Sequence, residues 1–148
     1  MEKKITLLIS ALILVFGACK TEADSKAIRQ EVLNIHDKLM IDGEKVIRNR
    51  MKLDTLLLSN KNMTASTRLK IKNHIEKLNK TDENMMDWMH FFKDDFKGKN
   101  EQEDLEYYQS QMIKIRDVED KYIKATKASD SVLKAYNINT SEKTDHTN

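Results

Sequence analysis

Ile71–Phe96, IKNHIEKLNKTDENMMDWMHFFKDDF, is the stretch that decides the fold. Its apolar residues Ile71, Ile75, Leu78, Met85, Met89, Phe92 and Phe96 recur in alternating steps of four and three, with Asp82 as the one polar intrusion. That spacing places them on one side of an α-helix and is the signature of a helix packed along a heptad-like seam. No proline occurs in the chain. Proline breaks helices and glycine weakens them, so the helical pattern extends outward from this stretch in both directions.

Upstream, Ile28, Val32, Ile35, Leu39, Val46, Leu53 and Leu57 mark a first helix from about Ser25 to Leu58, with polar gaps at Asp42–Gly43 and Asn49–Arg50. Downstream, Leu105, Tyr108, Met112, Ile115, Glu119 and Tyr122 mark a third helix after Gly98, which Val132, Leu133 and Tyr136 close. Asn100 with Glu103 reads as its capping pair. The links, roughly Ser59–Ala65 and Lys97–Lys99, are short, and short links make consecutive helices antiparallel neighbours. The expected fold is therefore all-α: an antiparallel up-down-up three-helix bundle over residues 25–137, with coiled-coil-like seams and a polar, disordered tail at 138–148. At 1.5 Å per residue, helices of this length give a rod roughly 45–50 Å long. A long hairpin completed by dimerisation is the alternative. Arg116 lies level with Asp82 in the expected register and is positioned to pair with it; otherwise Asp82 and Glu119 sit at the seam's edge in water.

The first nineteen residues say where the chain acts. Lys3 and Lys4 precede an apolar run, Ile5 to Phe16, which ends at Gly17-Ala18-Cys19. This is the layout of a bacterial export signal, and the run is too short for a transmembrane helix, which needs about twenty residues. A cysteine at this point is the residue a lipoprotein signal peptidase exposes for acylation. Residues 1–18 are thus expected to be a signal peptide, Cys19 the lipidated residue, and 19–24 a linker to the bundle. Ordinary secretion with a cut after Ala23 and an uncleaved anchor are the competing readings. Lys20, rather than aspartate, after the cysteine disfavours retention in an inner membrane and points to an outer-membrane lipoprotein facing the periplasm or the surface.

Lipidation consumes the single thiol, so the mature chain has no disulfide and no cysteine nucleophile. Removing residues 1–18 takes away Lys3, Lys4 and Glu2 and leaves a net charge of +1. With 34% charged residues in near balance, nothing points to nucleic acid. Enzymatic readings find no support. The chain holds no H-E-x-x-H, no G-x-S-x-G, no glycine-rich phosphate loop, and a single D-x-x-H (Asp87 to His90) where a di-iron bundle needs paired E-x-x-H motifs.

Folding the chain at Asn62 and Gly98 brings His36, Met40, Met85, Met89 and Met112 within about one helical turn of one level. Imidazole with thioether is a ligand set for copper(I), and His with Met also ligates haem. His36, Met40, Met85 and Met89 are the candidate ligands. The competing reading is that the methionines fill gaps in a core, with no cofactor at all. Trp88, Phe91 and Phe92 widen the apolar arc of the second helix and are candidates for partner contact, if they are not simply buried between two neighbours.

The motifs His36-Asp37-Lys38-Leu39-Met40 and Met85-Met86-Asp87-Trp88-Met89, with the lipobox-like Gly17-Ala18-Cys19, resemble a group of small Bacteroidota lipoproteins that share H-D-x-x-M and M-M-x-W-M and are often labelled viral A-type inclusion proteins. The resemblance covers the signal and residues 25–96. It implies an exported, lipid-anchored chain and no particular activity. The expected function is that of a non-catalytic helical binding or spacer module in the cell envelope, held to the membrane through Cys19 and meeting an envelope protein partner. A copper- or haem-binding bundle is the alternative.

Overall fold

In a computed structural model the described residues, 24–140, form three helices: α1 (Ser25–Ser59), α2 (Ala65–Phe91) and α3 (Glu101–Ala135). Each packs on both others, up-down-up. The signal segment, Cys19 and the linker as far as residue 23 lie outside the described residues. So do residues 141–148 of the expected tail. None of the described helices is long and apolar enough to cross a membrane.

Each helix is stopped by identifiable chemistry. Asp24 caps α1 by accepting from the Lys26 amide, and Thr64 caps α2 by accepting from the Thr67 amide. Arg68 closes the α1–α2 turn, donating to the carbonyls of Leu57 (2.9 Å) and Asn60 (3.1 Å), which would otherwise be orphan acceptors at the α1 terminus. At α3 the expected pair forms: Asn100 accepts from the Glu103 amide, and Glu103 accepts from the Lys99 amide. The end of α3 is a Schellman motif. Asn137 adopts φ 57°, and the amides of Asn137 and Ile138 donate to Lys134 and Leu133. Ile138 then packs on the core and the Asn139 carbonyl accepts from Lys52, so packing continues past Asn137.

The second helix is shorter than its apolar spacing predicts. It ends at Phe91 rather than Phe96, and the link to α3 is correspondingly longer. Neighbouring side chains take the backbone away from the helix. Arg29 donates to the Asp94 carbonyl and binds its carboxylate, Tyr108 donates to the same carbonyl, and the Lys93 amide donates to Tyr107. Two aspartates at a helix C-terminus also oppose the macrodipole. Phe96, freed from the seam, stacks on Tyr107 at 4.0 Å.

The core is a single column built from Val32, Ile35, Leu39, Val46 and Leu53 of α1, Ile71, Leu78 and Met85 of α2, and Ile115, Val118, Tyr122 and Leu133 of α3. The polar gaps in the α1 stripe are filled from α3. Gly43 lies against the ring of Tyr122, and buried Asn49 donates to Ser129 (2.9 Å) and Asp130 (2.8 Å), which also binds Lys45. Pairs between the parallel helices α1 and α3 keep offsets within about one and a half helical turns of each other, from 80 for Asn49–Ser129 and 81 for Lys38–Glu119 to 85 for Glu31–Arg116. The expected Asp82–Arg116 pair does not form. Arg116 instead binds Glu31 of α1 and Glu119 one turn along its own helix.

Candidate functional site

α1 and α2 run antiparallel, so His36 meets the C-terminal turn of α2. Its Nε2 lies 3.3 Å from Met89 Sδ. Its ring centroid is 5.7 Å from that of Trp88, which in turn stacks on Phe92 at 4.6 Å. On the other side of the imidazole, Nδ1 is 3.0 Å from the Asp37 carboxylate. The expected layer is thus assembled in part. His36, Met89, Trp88 and Phe92 converge, and Met112 packs beside the core.

Two of the four candidate ligands do not join them. Met40 is 50% exposed. Each step of four residues turns a helix by about 40°, so with His36 already on the flank of the α1 seam, Met40 falls outside it. Met85 is buried among the core side chains. Haem fails at this pair on geometry: nitrogen and sulfur 3.3 Å apart leave no room for a porphyrin plane between them. The aromatic arc also divides. Trp88 is 7% exposed and Phe92 packs on the core, whereas Phe91 is 73% exposed and meets only the edge of His90 among the ring contacts. Trp88 Nε1 is buried without a hydrogen-bond partner, which costs about 1–3 kcal/mol for a group of this kind.

A second feature runs along the seam between α2 and α3. Three open cavities of about 330, 520 and 300 Å³ follow one another there, the first two sharing Asn84 and Lys121 and the last two sharing His74. The middle one has a floor of Thr81, Ala125 and Ala128, with Lys77 and Lys80 on one rim and Lys121 and Lys124 on the other; no carboxylate lines it. Lys70 continues the rim in the third cavity. Burial, helped by Lys77, holds His74 below the ordinary imidazole range, so it stays neutral beside the lysines. The sequence reading missed this groove, which had a legible signal: lysines at 70, 77, 121 and 124, spaced by seven and three, beside alanines at 125, 128 and 135. Alanines on the seam leave the groove floor shallow and unfilled, and lysines flanking it contribute positive potential.

Across the bundle, α1 and α3 are tied by an ion network. Glu119, its side chain 13% exposed, accepts from Lys38 (2.9 Å) and Arg116 (2.8 Å). The hydrogen bond from Lys38 holds the Glu119 carboxyl below its ordinary range, with Arg116 adding to it. This network links two helices and borders no cavity described above. Among the described residues no group of three or more His, Cys, Asp or Glu is arranged to hold a metal ion. No protein-family model, curated protein or solved structure matches the chain.

Proposed function

We propose that this chain is a cell-envelope lipoprotein, anchored through an acylated Cys19, whose helical rod serves as a non-catalytic binding module. The observation that carries the reading is the lysine-rimmed groove along the α2–α3 seam. Lysines stand on both rims, with Lys80, Lys121 and Lys124 each paired to a carboxylate of its own helix, and the floor is made of small side chains, so the surface suits an elongated anionic segment of an envelope partner that meets Lys70 and Lys77 and exchanges with the paired carboxylates. The absence of any E-x-x-H pair, nucleophile elbow or phosphate loop from the sequence supports a binding role over a reaction. The basic start, apolar run and Gly17-Ala18-Cys19 support export and acylation, and Lys20 after the cysteine supports the outer membrane.

Two measurements test the proposal separately. Cys19→Ala should release the chain from membranes, because two or three acyl chains hold a protein far more firmly than one; a variant that stays fully membrane-bound after signal cleavage refutes the anchor. A photocrosslinking residue placed at Ala128, on the groove floor, should capture a discrete partner in cells, and Lys77→Glu with Lys121→Glu should abolish capture. The same probe at Arg48, on α1, is the control. Equal labelling from both positions, or capture untouched by the charge reversals, refutes the groove as the binding surface.

A further inference from the structure

The geometry points to a binding site for one soft monovalent cation, copper(I) or silver(I), between His36 and Met89. This inference is independent of the anchored docking module proposed above. It begins with Asp37. A carboxylate only accepts hydrogen bonds, so the tautomer that bonds Asp37, 3.0 Å away, is the one with the proton on Nδ1. In the neutral ring Nε2 then presents a bare lone pair. The atom it faces, at 3.3 Å, is the thioether sulfur of Met89, which also has only lone pairs to offer. Two acceptors at that distance do not form a hydrogen bond. In that tautomer a positive centre is what both can bind.

Imidazole nitrogen and thioether sulfur are the donors that select copper(I) over harder ions. With zinc's bonds of about 2.0 Å to nitrogen and about 2.3 Å to sulfur as a guide, a near-tetrahedral angle sets the two atoms about 3.5 Å apart, and the wider angle that a two-donor copper(I) or silver(I) favours asks for a further rotation of the Met89 side chain. The observed 3.3 Å is within reach of that edge without moving either helix. The rest of the surroundings agree. Asp37 supplies the carboxylate that orients a ligating histidine. Trp88, held by its stack on Phe92, has its ring centroid 5.7 Å from that of the imidazole, near enough to respond to a cation bound there. The His36 side chain is 24% exposed, which provides an entry path. Met40, one turn along from His36 and free of the core, has the flexibility to swing in as a third donor. Met85 stays in the core and is not part of the site.

Trp88 is the only tryptophan in the chain, so its emission reports this site alone. The test uses the full chain purified in detergent with Cys19→Ser, so that no thiol competes. Silver(I), and copper(I) under anaerobic conditions, are titrated against Trp88 fluorescence and native mass. The expected result is a saturable change at one ion per chain. His36→Gln should abolish it, Met89→Leu should weaken binding at least tenfold, and Asp37→Asn should weaken it about 10–100-fold as an orienting partner does. Met85→Leu should leave it unchanged, and zinc(II) should be silent. Circular dichroism verifies that each variant is folded. Absence of a saturable Trp88 response overturns the site, as does one-to-one binding that survives both His36→Gln and Met89→Leu. If nitrogen-15 spectra at neutral pH show His36 doubly protonated and silver(I) fails to displace the proton, the proton is the bridging cation and the metal site is likewise overturned.

Discussion

Gly43→Ala should stabilise the bundle, and the size of the effect follows from two local facts. Gly43 lies in the middle of the 35-residue helix α1 and is buried. A glycine there costs about 0.8–1.0 kcal/mol relative to alanine in helix propensity. A Cβ added at this position meets Tyr122 at 3.6 Å (Oη) and 3.9 Å (Cε1), ordinary contact with nothing displaced. Burying part of a methyl group adds a few tenths, bounded by about 0.8 kcal/mol per carbon. The sum is about 1–1.5 kcal/mol. For a chain of this length that corresponds to roughly 3–6 °C in Tm. Burial pushes the Tyr122 phenol up to about 12, so it remains neutral and the new methyl does not compete with a charge. The assay is thermal and urea unfolding followed by circular dichroism at neutral pH, with Gly43→Leu as the steric counterpart expected to destabilise. A Tm that is unchanged or lower in Gly43→Ala would show that the approach of α1 to Tyr122 is tighter than described, and would refute the reasoning.

Asn49→Ala should cost about 2–3 kcal/mol, because it strips buried Ser129 and half-buried Asp130 of a donor; Asn49→Leu combined with Ser129→Ala should recover part of the loss in urea denaturation, and a cost under about 0.5 kcal/mol for Asn49→Ala would contradict the pairing. Glu119→Gln should cost about 1–2 kcal/mol at pH 7. The folded Glu119 carboxyl is held below its unfolded value by Lys38 and then Arg116, so its stabilisation is present above pH 4.5 and fades as pH falls through the depressed folded value. The gap between parent and variant urea midpoints should therefore narrow at pH 3, and a gap that stays constant would exclude the link.

Much of the fold was legible because heptad spacing reports a helix face directly. Ile71, Leu78 and Met85, and Val32, Ile35 and Leu39, are buried as their spacing implies. The helix caps were legible where a side chain acts on its own turn, as with Asn100 and Glu103. What was not legible depended on partners distant in sequence. Nothing near Asn49 announces that Ser129 will satisfy it, and nothing near Phe92 announces that Arg29 and Tyr108 will claim the carbonyl of Asp94 and end α2 early. The candidate site divided for a related reason. Turn positions fix the level at which residues meet, so His36 was brought to Trp88 and Met89. Level does not fix azimuth, and Met40 at the same height turned outward while Met85 turned into the core. The lysine groove left a signal only in the joint spacing of its lysines and alanines, because a charged residue taken alone looks the same in sequence whether it faces open solvent or a channel.

The parallel pairing of α1 with α3 has one further consequence. An odd number of helices leaves the two termini at opposite poles, so a 35-residue α3 carries the chain's exit about 50 Å from the pole where Ser25 enters. If the entry pole rests on a lipid surface, the Asn139 carbonyl and its Lys52 contact are held at nearly the full stand-off of the rod.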